Sequence, residues 1–223
     1  MRDPELDTSI VELGFVHSCS LDAAGTARVR MRLPTYFCAP NFAYLMVADA
    51  HDAVAGLEGV EVVDIALEDH FAASQINAGV AARAGFVAAF DGLAEDELDE
   101  LRRTFLRKAA LAAQDRVVRQ VLARGTRASE LAALTLGDVP SSIERDRLRS
   151  RRDELGLPSG DGDPVLLHLD GTTVSDTDVP VHLGRSRTVR VSMDANGAVC
   201  RHLLDERYGT RPPLTDDVTV GGT

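Results

Sequence analysis

A single thiol held between a strand pattern and a helix pattern constrains this chain more than any other feature. Alternating apolar and polar residues run from Ala27 to Leu33, and Asn41 to Val54 carries apolar residues at helical spacing. Between them stands Pro34-Thr35-Tyr36-Phe37-Cys38-Ala39-Pro40. A strand–turn–helix crossing puts Cys38 beside a helix N-terminus, where unpaired N–H groups and a partial positive charge gather. A cysteine there can lose its proton more readily and then bind metal or attack. The alternative is a small buried thiol filling the turn, since free cysteine packs like a small hydrophobe.

The neighbouring segments give the turn a setting. Asp3-Pro4-Glu5-Leu6 reads as a helix start, with Asp3 as N-cap, Pro4 in the first turn and Gly14 as the stop. Phe15 to Leu21 and Thr26 to Leu33 read as a hairpin across Asp22-Ala23-Ala24-Gly25. After the helix over Asn41 to Val54, Val60 to Leu67 is a third strand. The order is helix, hairpin, helix, strand, a compact α/β layer over residues 1–70.

From Phe71 the chain turns alanine-rich. Phe71 to Phe90 reads as helical, weakened by Gly79 and Gly85. Glu95 to Arg124 is the strongest helix pattern, with Glu95, Asp96 and Glu97 in its first turn, arginines near its end and Gly125 as the stop. Short helices are expected over Ser129 to Leu134 and Ser142 to Leu155, which closes a helical extension over 71–157. Pro158 to Pro164 reads as a linker. Beyond it Val165 to Leu169, Val179 to Leu183, Thr188 to Met193 and Ala198 to Leu203 read as short strands. Asp170-Gly171 and Asn196-Gly197 read as their hairpin turns. Residues 158–223 are therefore expected to be a small β-rich region with a frayed tail from Pro212. The fold class is α/β in the broad α+β sense.

Composition narrows the partners. The net charge of −11 argues against nucleic acid, whose phosphates need a basic surface. No Trp and few aromatics argue against a stacking groove for single strands. Three scattered cysteines form no disulfide framework and suit a reducing, cytoplasmic setting. No apolar run is long enough to span a membrane, and the acidic N-terminus lacks the apolar core of a secretory signal. Basic character concentrates in Arg102 to Arg152, either a solvated helical face or a charged face for a partner. The motifs of serine hydrolases, zinc proteases, Cys-Xaa-Xaa-Cys redox centres and phosphate loops do not occur. No enzyme activity is expected.

An ordered set of residues in the first third resembles the MIP18-like family, also called the domain-of-unknown-function 59 family. The set is Asp3-Pro4-Glu5, Ser9 to Val16, Val29-Arg30-Met31-Arg32-Leu33-Pro34-Thr35, Cys38, and Val60 to Ile65. The resemblance implies a role in iron–sulfur cluster assembly, and some relatives accompany multicomponent oxygenases. It also implies that Asp3, Thr35 and Cys38 lie together in a small acidic, thiol-bearing pocket. The chain departs from the family at Pro34, at Tyr36-Phe37 and in placing proline two residues after the cysteine; Glu68-Asp69-His70-Phe71 stands where the family often has Pro-Pro-Trp.

These readings give a definite expectation. Cys38 holds iron or an iron–sulfur cluster transiently, Asp3 and Thr35 tune it by hydrogen bonding, and Glu68 and His70 add oxygen and nitrogen ligands. The competing reading of Asp69 and its neighbours is a cap for the following helix. His17 with Cys19, and Cys200 with His202, share strand faces and read as structural. Asp49, His51 and Asp52 lie too far along their helix to join the thiol. The expected partner is a client metalloprotein such as a di-iron monooxygenase component, with a homodimer as a further assembly; neither nucleic acid nor membrane is expected. A metal-free, chaperone-like scaffold for an oxygenase complex is the alternative.

Overall fold

The computed structural model describes residues 1–90 and 98–209. Its elements are β1 (Val16–Leu21), β2 (Thr26–Arg32), α1 (Pro40–Ala55), β3 (Val62–Glu68), α2 (Ala73–Ala81), α3 (Phe86–Ala89), α4 (Asp99–Ala123), a 3-10 turn (Ala128–Glu130), α5 (Ile143–Leu155) and α6 (Val179–Tyr208). The layout is α+β. Two compact units arise, one from Met1–Glu100 with Asn196–Thr223 and one from Leu101–Ala195. They divide the chain differently from the three consecutive segments expected above.

In the first unit, β1 pairs antiparallel with β2 and β2 pairs parallel with β3, so the sheet order follows the chain. A parallel partner requires a crossover, and α1 supplies it. The alternation along β2 sorts the faces. Ala27, Val29 and Met31 are buried, while Arg28, Arg30 and Arg32 lie on the other side. Ile65 and Leu67 of β3 join the buried face, and Met46, Val47, Ile76 and Val80 of α1 and α2 complete the core. The arginine face is tied by ion pairs. Arg30 forks onto Asp64 at 2.8 and 3.0 Å, and Arg32 reaches Glu68 at 2.9 Å.

The helix expected from Asp3 does not form. Asp7 takes a left-handed backbone with φ of 50°, which breaks the segment into separate turns. Asp3 still caps, since its Oδ1 accepts from the backbone N–H of Glu5 at 2.9 Å and of Leu6 at 2.7 Å. The helical pattern from Phe71 to Phe90 breaks into α2 and α3 around Arg83 and Gly85, both with positive φ. The expected acidic first turn at Glu95 to Glu97 lies outside the described residues, as does the tail from Pro212.

The β-rich reading of the C-terminal region is overturned. Val179 to Tyr208 is one helix, and it absorbs the three strands expected there and the Asn196-Gly197 turn. Its buried positions are Val179, His182, Ser186, Met193, Gly197 and Leu204, a spacing of threes, fours and sevens that belongs to a helix. The exposed Val181, Val191 and Val199 produced the false strand alternation. Val165 to Leu169 makes only an isolated bridge, Leu167 to Thr173, around a tight turn at Asp170-Gly171 where Gly171 has φ of 86°. The Pro158 to Pro164 stretch folds back inside the second unit, with Leu136 N–H donating to Asp163 O and Gly137 N–H to Asp161 O.

In that second unit, Val117, Val118 and Val121 of α4 pack with Leu131, Leu136, Leu148 and Leu166. Ser142 caps α5 by accepting from Arg145 N–H, and Gly156 closes it in the left-handed conformation, as the sequence predicts. Among the described residues no helix is long and apolar enough to cross a membrane.

Candidate functional site

Cys38 lies half-buried one residue before Ala39, the N-cap of α1. Ala39 has no side chain to cap the helix, and Pro40 follows in the first turn. Pro40 has no N–H, and Phe42 N–H donates to Asn41 Oδ1 at 2.8 Å, so the thiol stands just ahead of a first turn that is partly satisfied from within. Thr35 Oγ1 stands 3.3 Å from the Cys38 sulfur, and either atom can donate. The turn is tied to the segment after β3, since Phe71 N–H donates to Tyr36 O at 3.2 Å.

His70 is part of that tie. Its Nδ1 accepts from Ala72 N–H at 3.2 Å, so its proton sits on Nε2, which donates to Cys38 O at 2.8 Å. Burial lowers the His70 pKa, the bond to Cys38 O opposes that, and Arg207 adds to the lowering. The ring is thus held neutral with both nitrogens engaged on the backbone. Its place is under the Cys38 turn, as a strut. Glu68 is engaged too: Oε2 accepts from Arg32 Nε at 2.9 Å and lies 3.0 Å from His17 Nδ1. It stands on the ion-paired face of the sheet. Asp69 does not cap α2, whose N-cap is Ala72 with no side-chain bond. Its φ is 51°, its carbonyl accepts from Arg207 at 2.8 Å and its carboxylate from Tyr208 at 3.2 Å. Cys19 is exposed.

Asp3 is 1 % exposed. Its Oδ1 is committed to the two N–H groups of the cap, but the buried Oδ2 has no hydrogen-bond partner. Burial pushes its carboxyl up to about 7, against the pull of the Leu6 and Glu5 N–H groups, with Glu5 and Asp7 adding to the rise. Near neutral pH this group holds or releases a proton with little cost.

Rings rim the turn. Phe37 is 77 % exposed, and Tyr36 and Phe71 are about half exposed at 47 % each. Their centroids lie 5.0 to 6.4 Å apart. Three adjoining exposed aromatics beside a thiol are unusual on a protein surface, where such apolar patches mark contacts with partners. Tyr36 and Phe37 are among the positions at which the turn departs from the pattern of the family it resembles.

Cys200 was read from the sequence as a structural strand residue beside His202. On α6 the two point apart: Cys200 is half-buried and His202 exposed. Cys200 packs against the same core as Cys38. Burial raises its thiol to about 11, and the negative charges of Asp3, Cys38 and Glu5 raise it further. A helical reading of Met193, Gly197, Cys200 and Leu204 is the signal that would have found it. Among the described residues no three His, Cys, Asp or Glu side chains gather as a metal centre. The Cys38 sulfur has the Thr35 hydroxyl as its polar neighbour, and Asp3 Oδ2 is a buried oxygen without a partner in the same unit.

Comparison with known proteins identifies a family for the N-terminal third. Residues 1–67 match the family described as iron–sulfur cluster assembly protein. The uncharacterized protein MJ1129 of Methanocaldococcus jannaschii is 31 % identical over 77 residues, which is 34 % of this chain and 79 % of that protein. No solved structure matches the chain. The matched segment ends on β3 and contains Asp3, Thr35 and Cys38, so the chain belongs, through its N-terminal third, to the iron–sulfur cluster assembly protein family.

Proposed function

We infer that this protein receives iron or an iron–sulfur cluster as cargo and passes it to a client protein, in an accessory and not a catalytic role. The observation that carries the reading is the half-buried Cys38 just ahead of α1, with Thr35 Oγ1 at 3.3 Å, inside the segment that places the chain in its family. Cys38 is the sulfur that would take the cargo. Thr35 would donate to that sulfur and stabilise its thiolate form. Asp3, close to neutral pH in its titration, would accept or return protons as the thiol loses and regains its own. His70 would hold the Cys38 turn in place through its two bonded nitrogens, and Glu68, whose Oε2 is tied to Arg32, would brace the β2–β3 edge.

The exposed Tyr36, Phe37 and Phe71 supply a surface for a client, or for a second copy of the chain in a homodimer. A component of a multicomponent non-haem di-iron oxygenase is the client class to test first, because relatives of the family accompany such enzymes. The three free thiols suit the reducing cytoplasm. The same ring patch also favours a second reading, a metal-free scaffold that organises an oxygenase complex while Cys38 merely packs.

One comparison separates the two. The protein and its Cys38→Ser variant are produced anaerobically with iron and sulfide, and bound metal, thiolate-to-metal absorption and activation of a di-iron hydroxylase are measured. The cargo reading expects the variant to lose both the metal and the activation. Equal, metal-free behaviour of the two forms with client activation intact would leave only the scaffold.

A further inference from the structure

Helix α6 carries an apolar face that the described chain leaves exposed. At 3.6 residues per turn, Val181, Thr188, Val191, Ala195 and Val199 fall within about 40° of one line along the helix, with Leu203 at its margin. All six are exposed, the three valines and Leu203 by 40–77 %. The buried His182, Ser186, Met193, Gly197 and Leu204 occupy the opposite side. The two ends of the exposed face differ in charge. Arg185 and Arg187 stand toward its start, Asp205 and Glu206 toward its end. All four are exposed, and among the described residues none of them enters an ion pair. Arg190, set away from this face, is tied to Asp115 and Asp194 instead. A run of exposed large apolar side chains on one face, with free charges at its ends, is the pattern of an interface.

We propose that this face docks a second copy of the chain, α6 against α6 and antiparallel, with the two Ala195 side chains at the two-fold axis. The charge pattern selects that occupant. In this register each Val191 meets the copy's Val199. Arg187 and Asp205 lie on one flank of the helix, so Arg187 comes beside the copy's Asp205, and Arg185 comes beside the copy's Glu206. The same patch serves both partners, as a two-fold interface requires. A parallel pairing would set arginine against arginine and carboxylate against carboxylate. At a net charge of −11 two copies repel each other, so a lasting contact has to bring opposite charges together. These charges cannot meet within one chain, because Arg187 and Asp205 are about 27 Å apart along a helix that rises 1.5 Å per residue. The inference does not depend on the cargo reading, and it leaves the rings beside Cys38 to a client.

The test is sedimentation equilibrium of the full, reduced chain over a concentration series. The mass should rise with concentration toward twice the 23.9 kDa of one chain. Ala195→Arg places bulk and like charge at the axis, yet it is an exposed change to another good helix former. It should weaken the dimer at least about tenfold and leave the melting temperature of the dilute monomer unchanged. Arg187→Glu and Asp205→Arg should each weaken the dimer about tenfold as well, and the two combined should restore it, because the pair is then reversed in sign. Such a rescue reports contact between copies, which a merely structural effect on one helix would not produce. A chain that stays monomeric at every concentration overturns the inference. So does a dimer indifferent to Ala195→Arg, and a dimer lost in Phe37→Ser but kept in Ala195→Arg would place self-association on the ring patch instead.

Discussion

Arg152 and His182 are two chargeable groups that the fold withdraws from water, and it settles them differently. Arg152 is fully buried and stays a cation. Its guanidinium donates to the carbonyls of Pro164 at 2.7 Å and Val165 at 2.5 Å, and burial lowers its pKa only to about 10. Nothing in the run Arg147, Arg149, Arg151, Arg152 marks the last as the inward one, because the choice depends on where the Pro158 to Pro164 loop folds back. His182 is 5 % exposed and stays neutral. Its Nε2 donates to Gln114 Oε1 at 2.9 Å, and Gln114 in turn brackets the Leu167 backbone. Burial lowers the ring to about 4, with His168, Arg185 and Arg152 adding positive charge around it. The sign follows from linkage. Between pH 6.5 and about 4 the unfolded chain binds a proton that the folded ring refuses, so this contribution is whole above pH 6.5 and is lost as pH falls to about 4. Its size is on the order of 3 kcal/mol. Urea unfolding across that range should show a shallower acid loss in His182→Gln, which can still donate to Gln114. A loss as steep as in the wild type would assign the effect to other groups.

At the scale of elements, the hairpin, α1, β3 and α5 were legible because local signals and burial agree there. Val29 and Met31 alternate with arginines, and Gly156 sits where a helix must stop. The site was legible where it is local, since Thr35 and Cys38 share one turn and meet at 3.3 Å. α6 was not legible, because its buried stripe contains His182, Ser186 and Gly197, which do not look apolar, while Val181, Val191 and Val199 face outward. The helix tolerates two glycines, and this leads to a paired prediction. A Cβ at Gly184 meets nothing within 4 Å, and one at Gly197 makes only ordinary contacts. Gly184→Ala and Gly197→Ala should each stabilise by about 0.5–1 kcal/mol, the usual gain of alanine over glycine within a helix. Gly79 in α2 is the reverse case. A Cβ there would overlap Ala89 of α3 and stand 3.2 Å from Tyr44. Gly79→Ala should destabilise by roughly 1–3 kcal/mol through overpacking. Thermal melts of the three variants check both signs, and a loss at Gly184 would contradict α6 as an uninterrupted helix.

On the scale of the whole molecule, the chain leaves its first unit after Glu100 and returns to it at Asn196. Each unit has its own apolar core, with Leu204 in one and Leu148 in the other. Sequence reading cut the chain into consecutive pieces because composition changes are local, whereas a return of this kind shows only in long-range packing. The second unit is thus an insertion in the first, and the chain re-enters the first unit along α6. Two cores imply two cooperative transitions, since a unit with its own core unfolds as a unit. Leu148→Ala should lower one transition in calorimetry, and Leu204→Ala the other. Leucine truncation in a core costs about 2–5 kcal/mol, which for units of this size shifts the midpoint by on the order of 10 °C. One transition moved equally by both substitutions would mean that the molecule has a single core.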